Sequence, residues 1–98
     1  MINRIVRMSF EPDKVADFLQ VFEQAKEKIA AFEGCEGLTL LRDAHQAHVM
    51  FTYSYWRDQD CLNKYRFSDL FKDTWAKTKI HFNDKPLAWS LEVLQLVK

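Results

Sequence analysis

The chain is short of most features that mark a specialised surface. It has two cysteines, Cys35 and Cys61, far apart and in no CxxC spacing. That excludes a disulfide framework and reads as reduced thiols in a cytoplasmic protein. It has no surplus of charge, with 14 basic residues against 14 acidic ones and no long run of either sign. Nucleic acid and anionic membrane surfaces both require a basic patch, so neither partner is expected. No apolar run approaches the roughly 20 residues that span a bilayer. The opening MINRIVRMSF lacks an apolar h-region and a small-residue cleavage site, so secretion is not expected. Internal repeats, linkers and low-complexity segments are also missing.

What the chain does have is rings. Its 98 residues are 48% hydrophobic and 29% charged, a globular composition for one domain over 1–98. Eight Phe, three Trp and three Tyr make it 14% aromatic. A chain of this length buries only roughly 60–65% of the surface its unfolded form exposes. One small core cannot take all those rings, so some are expected at an interface or around a ligand cavity.

Residues 2–10, INRIVRMSF, alternate with period two, as in a half-buried strand. Ile2, Val6, Met8 and Phe10 share one side with Arg4 among them, and Asn3, Ile5, Arg7 and Ser9 take the other. Pro12 sits at a helix start, flanked by Glu11 and Asp13. From there Val15, Phe18, Leu19, Phe22, Ala25, Ile29 and Phe32 recur at helical spacing, with Gly34 as the C-terminal stop. LTLLRD (38–43) and HVMFTYSYW (48–56) read as strands joined by the turn AHQA. Neither face of the second carries charge, so both faces are expected to be covered. Asp58 caps a short helix through Tyr65, and Ser68-Asp69 opens another through about Lys79. Pro86 precedes a last alternating strand, LAWSLEVLQLV.

The order is β-α-β-β-α-β, which predicts a ferredoxin-like α+β fold with an antiparallel sheet and both helical regions on one face. The bare face would carry Ile5, the rings of the third strand and the apolar residues of the fourth. Two copies pairing these faces would form a homodimeric barrel.

In this order of elements, FEGCEGL (32–38), TYSYW (52–56), LNKYR (62–66), SDLFKDTW (68–75) and AWSLEVL (88–94) resemble the antibiotic biosynthesis monooxygenase family of small dimeric α+β barrels. The resemblance runs over nearly the whole chain. It implies a ligand site between sheet and helices, with Tyr65 to Phe82 as one wall. Members of that family include cofactor-independent oxygenases of polycyclic aromatics, quinol-type oxygenases, haem-degrading enzymes and a group acting on a quorum-sensing sugar phosphate. In the haem-degrading members a histidine binds iron, but its position falls here on Trp75. The tryptophan position falls on Tyr65. The asparagine position falls near Arg4, with Asn3 one residue away on the opposite strand face. An indole nitrogen has no lone pair for a metal, so haem turnover is not expected.

The expectation is therefore an oxygenase of a small aromatic or quinol-like compound with no metal and no cofactor. Tyr65, Phe71 and Trp75 are the ligand-pocket candidates, and Arg4 and His81 the catalytic ones. Each has a blander reading. Phe71 and Trp75, four apart on one helix face, fit a core as well as a pocket. Arg4 either snorkels or pairs with an acid such as Glu92, or else offers its guanidinium to an anionic or enolate ligand. His81 is either a solvated loop residue or a base for a phenol proton. His45 and His48 form an HxxH across a turn without further clear ligands. Ser54 and Ser68 lack triad partners. FTYSYW lacks the glycines and basic residues of an RNA-recognition sheet. The alternative function is a non-catalytic small-ligand-binding or stress-related dimer of the same fold.

Overall fold

In the computed structural model, which describes residues 1–98, the alternating N-terminal segment forms β1 (Ile2–Ser9). A 3-10 turn at Pro12–Lys14 leads into α1 (Val15–Ala30). There follow β2 (Cys35–Arg42), β3 (Val49–Trp56), α2 (Gln59–Arg66), α3 (Asp69–Lys79) and β4 (Leu87–Glu92). The four strands form one antiparallel sheet in the order β2-β3-β1-β4. This is the ferredoxin-like α+β arrangement expected from the sequence.

Two caps divide the second helical region. The Asp58 carboxylate accepts the Cys61 backbone N–H at 2.8 Å, and the Ser68 hydroxyl accepts that of Phe71 at 3.1 Å. Each satisfies a first-turn donor that the helix itself leaves without a partner.

Three boundaries differ from expectation by more than one residue. Helix α1 stops at Ala30, before Gly34, and Phe32 lies in the following turn. Gly34 has φ 84°, a left-handed backbone that favours glycine, and a Cβ there would run into the Cys61 side chain. Strand β2 starts at Cys35, which pairs with Trp56 before a register irregularity at Gly37. Strand β4 ends at Glu92, well before Val97. Glu92 stands opposite Ile2, the first residue of β1, so the next residues of β4 have no β1 ladder to join.

The β1–β3 register sorts the sheet's faces. Ile2, Arg4, Val6 and Met8 lie opposite Trp56, Ser54, Thr52 and Met50 on the side under the helices. Ile5 and Arg7 lie opposite Tyr53 and Phe51 on the other side. Under the helices the core forms two clusters. Met8, Phe10, Phe18 and Met50 make one, and Trp56, Cys61 and Leu62 the other. No helix is long and apolar enough to cross a membrane.

Candidate functional site

Helices α2 and α3 place their inward faces by simple periodicity. Leu62 and Arg66 are four apart on α2, and Phe71, Thr74, Trp75 and Thr78 recur at helical spacing on α3. All six look onto a cavity of about 300 Å³ between the helices and the covered side of the sheet. Its floor is formed by Arg4 and Val6 of β1 with Thr52, Ser54 and Trp56 of β3. It lies between the two core clusters, taking Met8 and Phe18 from one and Trp56 and Leu62 from the other.

A ladder of rings runs along this space. Phe18 stacks on Phe10 at 4.3 Å, and Phe10 meets Phe82 at 5.3 Å. Phe82 meets Trp75 edge-on at 5.5 Å, and Trp75 stacks on Phe71 at 5.8 Å with an interplanar angle of 11°. Phe71 meets Tyr65 edge-on at 5.3 Å, and Tyr65 stacks on Trp56 at 4.8 Å. The spacings are those of favourable aromatic pairs. Tyr65, Phe71 and Trp75 thus wall the space and, with Phe82 beyond it, link the two cores, so for these three rings packing and pocket are one role.

The polar groups are few. The Arg4 guanidinium donates to Ser90 Oγ at 3.0 Å through Nη1. No acid pairs with it: Glu92 lies opposite Ile2, and none of the chain's five ion pairs includes Arg4 or Arg66. Burial first, and the nearby Arg66 guanidinium second, hold the Arg4 pKa below its ordinary value. Burial pushes the Tyr65 phenol up to about 12, with a smaller push from Cys35, so it stays protonated and can donate a hydrogen bond. Ser54 accepts the Trp56 indole N–H at 2.9 Å, which satisfies that buried donor. The Thr78 hydroxyl donates to the Thr74 carbonyl at 2.7 Å.

The structure brings Arg4, Tyr65, Phe71 and Trp75 together around one cavity. His81 is not among the lining residues. It follows the end of α3, where its backbone carbonyl accepts the Glu11 N–H at 3.0 Å. Arg66 lines the cavity and was not singled out from the sequence, although its spacing from Leu62 puts both on one helical face. No aspartate, glutamate, histidine, lysine or cysteine lines the cavity. It therefore offers a haem iron no imidazole, and the indole at position 75 has no lone pair to replace one. His45 lies in a turn whose backbone N–H groups, at His45 and Gln46, donate to Asp43 at 2.8 and 3.0 Å. No group of three His, Cys, Asp or Glu is placed to hold a metal. Both cysteines are free thiols.

Comparison with known proteins fits this architecture. Residues 1–77 match the family model described as antibiotic biosynthesis monooxygenase. No protein of curated function matches the sequence. Among solved structures, an antibiotic biosynthesis monooxygenase superposes with TM-score 0.90 at 15% identity, covering 97% of this chain and all (100%) of its own. A conserved protein from Methanosarcina mazei superposes with TM-score 0.88 at 18% identity, covering 92% of this chain and 89% of its own. A Mycobacterium tuberculosis protein reaches TM-score 0.90 at 16% identity, covering 99% of this chain and 98% of its own. At these identities the superpositions establish the fold, and the match over residues 1–77 establishes the kinship. The chain belongs to the antibiotic biosynthesis monooxygenase family.

Proposed function

We propose that the protein is a cofactor-independent monooxygenase of a small aromatic or quinol-like compound. The observation that carries this reading is the cavity itself. It has about 300 Å³ of space, a wall of stacked rings and a guanidinium without an acid partner. That volume is at the lower end of the usual range for ligand pockets.

The chemistry needs little from the protein. An anthrone-type substrate loses a proton from its ring CH₂ to water, and the negative charge settles on the phenolate-like oxygen. Arg4 stabilises that oxygen, and the Tyr65 phenol donates to it. The carbanion passes one electron to dioxygen, and the substrate radical and superoxide combine in a new C–O bond. Proton uptake and loss of water from the resulting peroxide leave a carbonyl at that carbon. One oxygen atom stays in the product and the other departs as water with the two hydrogens of the former CH₂. Phe71 and Trp75 hold the ring flat, and the apolar walls keep bulk water from the radical pair. Aerobic turnover of a panel of anthrones and hydroquinones tests this. Oxygen uptake above the blank is expected for at least one of them, and none across the panel contradicts it.

A second reading is a non-catalytic small-ligand-binding dimer. It is favoured by the absence of a carboxylate or imidazole from the cavity wall, which leaves no side chain poised as a general base.

Under either reading the protein works as a homodimer joined through the bare sheet face. Only 13 of 98 residues are buried, too few to shield the apolar surface this chain carries. Leu41, Leu87, Trp89 and Leu91 stand exposed on that face beside Ile5, Phe51 and Tyr53. There Asn3 donates to the Tyr53 hydroxyl at 2.9 Å, while its own buried Oδ1 has no partner within the chain. A donor from the second copy would satisfy it.

A further inference from the structure

We infer that the molecule bound in the cavity is an aromatic acid, held by its anionic oxygens between Arg4 and Arg66 with its ring against Phe71 and Trp75. This rests on the reading of the cavity as a site for a small aromatic compound, and it adds which one of that class the site selects.

The charge count inside the cavity sets it apart from the rest of the molecule. Over the whole chain, basic and acidic residues balance at 14 each. On the cavity wall stand two arginines and no acid. All five ion pairs in the protein lie elsewhere, on Lys14, Lys26, Arg57 and Lys77. The one side-chain hydrogen bond Arg4 makes is to the neutral Ser90 hydroxyl. Arg66 makes none. Two like charges that face one partly desolvated space repel each other, and a charge taken from water without a counterion is costly. The depressed Arg4 pKa, with burial and Arg66 as its two causes, reflects that cost.

A neutral hydroquinone would leave this arrangement uncompensated. Stabilising one developing phenolate calls for one guanidinium, whereas the wall has two. A permanent anion on the ligand accounts for the second. Guanidinium suits the task because its planar fork matches the two oxygens of a carboxylate or phosphate and stays charged when half-buried. Position supports it further. Arg4 is on the strand floor and half-buried, and Arg66 is on the last turn of α2 and exposed. One cation therefore sits inside and one at the rim, so an acid can be drawn in at the rim and seated against the floor.

The test is binding, so it does not depend on turnover. Calorimetric titration compares 1-naphthol, 1-naphthoate and 1-naphthyl phosphate, which share a ring system and differ in charge. At least one of the two anions is expected to bind about 10- to 100-fold more tightly than 1-naphthol, the range of a charge-assisted contact. Which anion prevails distinguishes a carboxylate ligand from a phosphate one. Arg4→Gln and Arg66→Gln should each remove most of that preference, read as the ratio of anion affinity to 1-naphthol affinity within the same variant. Arg66 is exposed, so the second variant keeps the fold if the first does not. Equal affinity for all three probes, or a preference that survives both substitutions, overturns the inference while the aromatic-ligand reading stands. No binding of any probe overturns both.

Discussion

The space between the sheet and the helices is bordered by two arginines, a serine and three threonines among its apolar walls, whereas the opposite side of the sheet carries Leu41, Leu87, Trp89 and Leu91, each 44–48% exposed. A free-standing monomer would be expected to keep arginine out of the mostly apolar space under the helices and to turn fewer large apolar residues toward water. Within β1 the inversion falls on neighbouring residues, since Arg4 points under the helices and Ile5 away from them. Under the proposed reading a ligand would meet the Arg4 and Arg66 guanidinium groups, and a second copy of the chain would cover the apolar groups on the bare side. The two departures from ordinary burial would then be tested separately, one by ligand binding and one by self-association.

The strongest way to break this contrast is to place a charge on the bare face. Trp89→Asp sets a carboxylate in the middle of the proposed contact, twice per dimer. The wild type is expected to sediment as a dimer at micromolar concentration, and the variant as a monomer, with dimer affinity down by at least about 100-fold. A wild-type chain that stays monomeric at that concentration removes the partner from the bare face.

On the covered side, core and cavity wall should respond differently to the same truncation. Phe10 is fully buried at 0% exposure, so Phe10→Ala should cost about 3–5 kcal/mol in a denaturant melt. Trp75 already borders open space, so Trp75→Ala should cost about 2 kcal/mol despite the larger side chain. Equal losses would mean that position 75 is ordinary core.

Tyr65 sharpens the contrast through pH. Its phenol has a pKa of about 12 when folded and an ordinary value near 10 when unfolded. Below pH 10 both states hold the proton and stability is unaffected. Between about pH 10 and 12 the unfolded chain loses it first, so stability falls as pH rises, by roughly 2–3 kcal/mol in all. Tyr65→Phe should flatten that part of the alkaline melting profile. An unchanged slope would show that the phenol is solvated.

Arg4→Met should give the smallest effect and an opposite sign. Replacing a desolvated, acid-free cation by an apolar side chain is expected to leave stability unchanged or raise it by about 1 kcal/mol. A loss of more than about 1 kcal/mol would mean that Arg4 serves the fold.

Much of the fold was legible because it depends on local chemistry. The alternation of residues 2–10, the Asp58 and Ser68 caps and the helical spacing of Phe18, Ala25 and Ile29 each act within a few residues. The end of β4 was not legible, since its pattern continues to Val97 and only the start of β1 decides where pairing stops. The site divides in the same way. Spacing places Phe71 and Trp75 on one face, but whether that face meets a core or a space depends on how far α3 stands from the sheet. Arg66 gains its meaning from Arg4 at the other end of the chain. The sequence put His81 near the site, but the helix ends at Lys79 and the imidazole falls outside the cavity wall.

A crystal structure of the protein grown with 1-naphthoate tests the central contrast most directly. The account predicts the ring lying against Phe71 and Trp75, its carboxylate within hydrogen-bonding distance of Arg4 and Arg66, and a second chain packed on Trp89. A cavity closed by the side chains around it, with the acid bound on the sheet's other face or nowhere, would contradict it.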